Sequence, residues 1–192
     1  MLILASKSPR RRNLLTQIGV EFEIIPSEYD EDHTISEDPE ELALAHAKGK
    51  AKEVYIRLKK NTSHVGDVIL GVDTLVYIGD EILGKPENKQ DAYNMLKKLS
   101  GKTHKVMSAM YFIRISDGKE VACLETTQVT FNSLSEEEVD AYLATDEWED
   151  KAGSYAIQGS AQQFVEKIEG SLSSVIGLPI ESFEKIYKEI HS

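Results

Sequence analysis

An aspartate stands in the middle of an apolar run: in ILGVDTLVY, Asp73 is flanked by Leu70, Val72, Leu75 and Val76. A carboxylate inside such a strand is costly unless it is paired, protonated or bound to a cation. Asp73 is therefore a candidate metal ligand or general base, set against a strand-end aspartate bonded to backbone N–H groups. A second stretch, SKSPRRRNLL, puts Arg10, Arg11 and Arg12 directly after Ser8 and Pro9. Ser8 reads as a helix N-cap and Pro9 as the first helical residue. The arginines then fall where the helix itself carries roughly +0.5 of an elementary charge. An anion resolves the conflict, because the open N–H groups of a helix start and guanidinium forks both bind phosphate; a solvated arginine face needs no ligand at all.

Other stretches add to these. Lys85 lies in LGKP, Lys48 in AHAKGKAKE, and Glu31 in the acidic loop SEYDEDHTISED. Each is ordinary alone, since lysines and acids belong in water. Together, cations that hold phosphates and carboxylates that hold a divalent ion, Mg²⁺ or Mn²⁺, are the parts of phosphoryl-group chemistry. In DKAGSYAIQG, Gly153 and Gly159 flank Tyr155 and Gln158. A glutamine amide can donate to and accept from a base edge, although the same block also reads as a turn with a packed tyrosine. His104 is a further candidate base. No histidine pair has zinc-ligand spacing, which argues against a metal–histidine site, and no Walker loop, nucleophile elbow or dinucleotide fingerprint is present.

The elements that must position these groups follow from periodicity. LILAS predicts a buried strand feeding the arginine helix, with Gly19 just past its end, and EFEII predicts a second strand stopped by Pro26. Residues 39–60 carry apolar residues at helical spacing, and 67–86 read as a strand and hairpin turning near Gly79 and Asp80. KQDAYNMLKKLSG is an amphipathic helix with Ala92, Met95, Leu96 and Leu99 on one face. Residues 103–115 and 120–131 form a long hairpin around SDGK. Ser135 and Glu138 make a capping box, residues 146–179 read as short strands and glycine-punctuated loops, and 181–190 as a closing helix. The pattern is α/β, with no repeat and no clear linker.

At 192 residues the chain suits a single domain with a proper core. Acids outnumber bases 33 to 22, for a net charge of −11, which argues against nucleic acid or an anionic membrane as partner. Three arginines in such a chain form a positive island suited to a small polyanion. No segment approaches a membrane span and MLILA is too short for a signal peptide, so a cytoplasmic protein is expected. Cys123 is the only cysteine, which excludes an internal disulfide. The Asn61 sequon is read as chance.

Six blocks in order, SKSPRRRNLL, GVDTLV, LGKP, LSGKTHKV, DKAGSYAIQG and IEGSLSSVIGLP, resemble the Maf family of nucleotide pyrophosphatases, also called septum-formation-inhibitor-like proteins. The likeness runs nearly end to end, over 1–192 as one domain. It implies an elongated α/β fold, a mixed sheet in two lobes with a central cleft, similar to the inosine-triphosphate pyrophosphatases. It implies hydrolysis of a nucleoside triphosphate to the monophosphate and pyrophosphate with a divalent metal cation. By the same resemblance Asp73 matches the proton acceptor. Arg10, Thr74 and Gln158 match positions associated with substrate choice, and Arg11, Glu31, Lys48 and Lys85 match other cleft positions. Gly49 stands where alanine is usual, which leaves the cleft lysine open between Lys48 and Lys50. The KAGSYAIQG block resembles the branch acting on dTTP and UTP. The alternatives are the same chemistry on 7-methylguanosine triphosphate or other purine nucleotides, or a nucleotide-binding regulator of cell division without turnover. Homodimerisation is an expectation from the family alone.

Overall fold

The computed structural model describes residues 1–31, 36–60, 62–64 and 67–191. The middle of the acidic loop and Asn61 of the sequon lie outside the described residues. Along the chain run β1 (Leu2–Leu4), α1 (Pro9–Gln17), β2 (Phe22–Ile24), α2 (Pro39–Leu58), β3 (Val68–Ile78), β4 (Glu81–Leu83), α3 (Lys89–Leu99), β5 (Thr103–Arg114), β6 (Glu120–Phe131), α4 (Glu136–Leu143), β7 (Val165–Glu169), α5 (Leu172–Ile176) and α6 (Ile180–His191). The seven strands pair in the order β2-β1-β3-β5-β6-β7, with β4 on β3. Strand β1 is parallel to β2 and β3, whereas β3–β4 and β6–β7 are antiparallel, so the sheet is mixed. Among the described residues no helix is long and apolar enough to cross a membrane.

The chain divides into two compact units. The first comprises Met1–Asp73, Ser108–Glu125 and Gly177–Ser192. Its strands β1 and the start of β3 are buried on both faces, as their unbroken apolar runs require. Helix α2 starts on Asp38, whose carboxylate accepts the N–H groups of Glu40 and Glu41. It turns Ala43, Ala47 and Ala51, one row at four-residue spacing, into the core. The contact is close because the strand offers Gly71: a Cβ there would sit 2.1 Å from the Ala47 carbonyl oxygen and 2.8 Å from the Ala51 nitrogen. Helix backbone and strand backbone meet at that residue, two positions before Asp73.

The second unit comprises Thr74–Met107 and Thr126–Ile176. Helix α3 buries Ala92, Met95, Leu96 and Leu99, the face its periodicity predicts, and the Ser135–Glu138 capping box opens α4. The aromatic core joins His104, Phe131 and Tyr155 edge to face, with ring centroids 4.9–5.5 Å apart, and Phe131 continues to Phe164 and Tyr142. The segment 146–179, expected as short strands and glycine-punctuated loops, holds one strand (β7), two 3₁₀ turns, Ala152–Ser154 and Ser160–Phe164, and the short α5. Gly153 and Ser154 have φ of 68° and 63°, a left-handed path that no strand can follow.

His104 in this core contacts Tyr155, Nε2 to Oη 2.8 Å, and is 2% exposed. Burial pushes its pKa from 6.5 down to about 4, so the ring is neutral at pH 7. The unfolded chain takes up that proton first, so this contribution to stability is full above about pH 6.5 and declines as pH falls toward 4. We predict a loss on the order of 3 kcal/mol over that window that His104→Gln lacks, measured by denaturant unfolding at stepped pH; identical pH slopes would refute it. Gly71→Ala is predicted to destabilise by about 1–3 kcal/mol through overpacking against α2, and an unchanged melting temperature would contradict the close approach.

Candidate active site

Asp73 closes the first unit at the point where α2 crosses β3. Next to the alanine row of α2 stands a second row, His46 and Lys50, again four residues apart. Lys50 Nζ lies 2.7 Å from Asp73 Oδ1 and 2.7 Å from Glu31 Oε1, so one ammonium bridges two carboxylates. His46, fully buried, brings Nδ1 to 3.6 Å from Asp73 Oδ2. Burial by itself would raise the Asp73 pKa, but His46, Lys50 and the charge of Arg11 outweigh it and hold the carboxyl well below the usual range. Asp73 is ionised at neutral pH. Its Oδ2 is buried and accepts no hydrogen bond among the described residues.

That unsatisfied oxygen is the observation that tests whether a metal fits. A buried carboxylate oxygen without a donor is costly, and a cation removes the cost. Glu31, His46 and Asp73 each offer a ligand atom, all within 4.8 Å of one another. Two hard carboxylates with one imidazole suit a divalent ion. His46 was not found by sequence reasoning, which asked for pairs of histidines; its signal was its place four residues before Lys50 on one helix. The structure also separates the two lysines left open by the sequence. Lys50 reaches Asp73, whereas Lys48 Nζ lies over the Tyr111 ring at 5.8 Å from its centroid.

The arginine helix begins at Pro9 with Ser8 as its N-cap, yet the Ser8 side chain caps nothing. Ser6 takes over at this end: its Oγ accepts the Ser8 N–H at 3.2 Å and Arg11 Nη1 at 3.0 Å. Arg11 Nε donates to the Gly177 carbonyl at 2.9 Å, which draws the guanidinium back across the helix start. Burial pushes its pKa down to about 10, opposed by Asp73, and it remains charged at neutral pH. No acid stands in the first turn of α1. Arg10 is half-buried and Arg12 exposed.

The remaining expected residues belong to the second unit. Thr74 follows Asp73 on β3 and is half-buried. Lys85 is exposed and stands 3.9 Å from Asp150. Gln158 is exposed between half-buried Gly159 and buried Ile157.

A family model described as Maf-like protein matches residues 1–190. The chain belongs to the Maf-like family. Among its curated relatives, a protein of Thermococcus kodakarensis is 46% identical over 186 residues, covering 97% of this chain and 95% of the relative. One of Thermococcus gammatolerans is 44% identical with the same coverage, and one of Ruminiclostridium cellulolyticum is 42% identical over 99% of this chain and 96% of its own. All three carry the name dTTP/UTP pyrophosphatase. Among solved structures, the Staphylococcus aureus Ham1 protein aligns over 68% of this chain and 71% of its own with a TM-score of 0.42 and 11% identity.

The two lysines of α2 should separate in unfolding experiments. Lys50→Met leaves the buried Asp73 carboxylate without its nearest cation and is predicted to destabilise this Maf-like chain by roughly 3 kcal/mol. Lys48→Met removes an exposed lysine's contact with the Tyr111 ring and its attraction to Glu120, together worth at most about 1 kcal/mol. Equal losses in denaturant melts would contradict the assignment of Lys50 to Asp73.

Proposed function

We propose that the chain hydrolyses dTTP and UTP between the α and β phosphates, yielding the nucleoside monophosphate and pyrophosphate, with Mg²⁺ or Mn²⁺ as cofactor, and that it does so in the cytoplasm. The observation that carries the reading is Asp73: a buried, ionised carboxylate with an open oxygen, set among cations in a chain whose relatives bear that name.

Glu31, His46 and Asp73 would hold the metal, which supplies positive charge against the triphosphate. Asp73 accepts the proton of the attacking water, as a positioned base does. Lys50 exchanges a carboxylate partner for a phosphate oxygen. Arg10 and Arg11, in the first turn of α1, bind phosphate through their guanidinium forks, supported by the positive end of the helix. Lys50 takes the phosphate-binding role first read for Lys48. Lys85 and Thr74 are assigned to substrate binding, and the Gln158 amide to the O4 and N3 edge that uracil and thymine share.

The test is pyrophosphate release from a panel of nucleoside triphosphates with Mg²⁺, Mn²⁺ or chelator. Wild type should release pyrophosphate fastest from dTTP and UTP and lose activity in chelator. Asp73→Asn should lower turnover by about 10²–10⁴-fold, the range of one general base, while keeping a cooperative melt. Wild-type rates in Asp73→Asn would remove the base role, and nucleotide binding without release from any substrate would turn the reading toward a regulator.

A further inference from the structure

The segment that leads to Gln158 holds the strained backbone of the described residues. Among the described residues the non-glycine positions with left-handed backbone are Asp146, Asp150 and Ser154, with φ of 57°, 55° and 63°. Such conformations cost free energy and persist only where the surroundings over-determine them. Here the surroundings are visible. Trp148 Nε1 donates to the Leu143 carbonyl at 3.2 Å, the Gly153 N–H to the Gly84 carbonyl at 3.1 Å, and the Ala156 N–H to Tyr142 Oη at 3.3 Å. Tyr155 is held by His104. These contacts fix the chain on the N-terminal side of Gln158.

On the other side one residue does the same work. Glu147 places both carboxylate oxygens on Ser160: Oε2 accepts its N–H at 2.7 Å and Oε1 its hydroxyl at 2.8 Å. The chain passes so close that a Cβ on Gly159 would come within 2.0 Å of Glu147 Oε2, so a larger residue there would push the carboxylate off its present position. Glu147 has no ion pair with a cation among the described residues, and as a half-buried acid it adds little to the core. A pair of charge-assisted bonds from one side chain to one residue is a device for fixing direction. Between the two anchors Gln158 is exposed, and a side-chain amide recognises a base edge only when it is held at one angle, since its donor and acceptor must not exchange places.

We propose that Glu147 is a positioning residue for Gln158: by clamping Ser160 it fixes the backbone that aims the Gln158 amide, and so sets selectivity for the uracil and thymine edge. The proposal rests on the reading of Gln158 as the base contact. The test compares kcat/KM for UTP with that for CTP, whose ring presents an amino group where uracil has a carbonyl, in wild type, Glu147→Ala, Glu147→Gln, Ser160→Ala, Gln158→Ala and the Glu147→Ala/Gln158→Ala double variant.

Glu147→Ala and Gln158→Ala should each lower the UTP:CTP ratio about tenfold, the size of one lost hydrogen bond. The double variant should fall no further than Gln158→Ala, because residues acting through one another are not additive. Glu147→Gln should retain the ratio: its amide oxygen still accepts the Ser160 N–H, and its NH₂ can donate to the hydroxyl oxygen. Ser160→Ala, which keeps one of the two bonds, should fall between and serves if Glu147→Ala does not fold. A ratio lost in Gln158→Ala but kept in Glu147→Ala, even with a lowered melting temperature, makes Glu147 merely structural and overturns the proposal alone. Additive losses in the double variant overturn it as well. A ratio kept in Gln158→Ala removes the base contact itself, and the proposal with it.

Discussion

An ionised carboxylate buried in a strand is the constraint around which the first unit is arranged. Asp73 is 4% exposed, and water is not there to solvate it. The charge survives because α2 delivers an ammonium at 2.7 Å and an imidazole at 3.6 Å, with the Arg11 guanidinium adding its field. Every neighbouring feature bears on that compensation. The alanine row lets α2 lie close, Gly71 lets it lie closer, and the next row of the same helix then reaches the acid. Removing the charge would relieve that cost but leave His46 and Lys50 on the inner side of the helix without the carboxylate they face.

The two units reach their precision by different means. In the first, long-range opposite charges converge on one atom group. In the second, the precision is in the backbone: left-handed residues at Asp146, Asp150, Gly153 and Ser154, in a segment tied down by hydrogen bonds from a tryptophan, two tyrosines and a glutamate. The first arrangement suits chemistry on phosphates, where charge must be placed. The second suits discrimination between bases, where an angle must be kept.

Much of this was legible in the residues. The amphipathic face of α3, the capping box of α4 and the turn at Gly79 obey short-range rules that hold whatever the rest of the chain does. Asp73 was legible because a charge in an apolar strand is anomalous on its own terms. His46 was not, because its meaning comes from a carboxylate twenty-seven residues away in sequence, and neither composition nor spacing announces that pairing. The choice between Lys48 and Lys50 was undecidable for a similar reason: two lysines two residues apart point to different sides of a helix, and only the packing of α2 on β3 says which side is inner. In the 146–179 segment the residues showed strand and loop in outline but not the course of the loops, which is set by side chains that clamp the chain from outside.

The Lys50 bridge has a consequence for how the site would take up an ion. Where metal ligands face one another with nothing between them, like charges crowd together and folding waits on the ion. Here the carboxylates of Glu31 and Asp73 already share an ammonium that the chain carries within its own sequence. On the proposed reading, a divalent ion would arrive at the open Asp73 oxygen beside a cation already in place, rather than between two unscreened carboxylates.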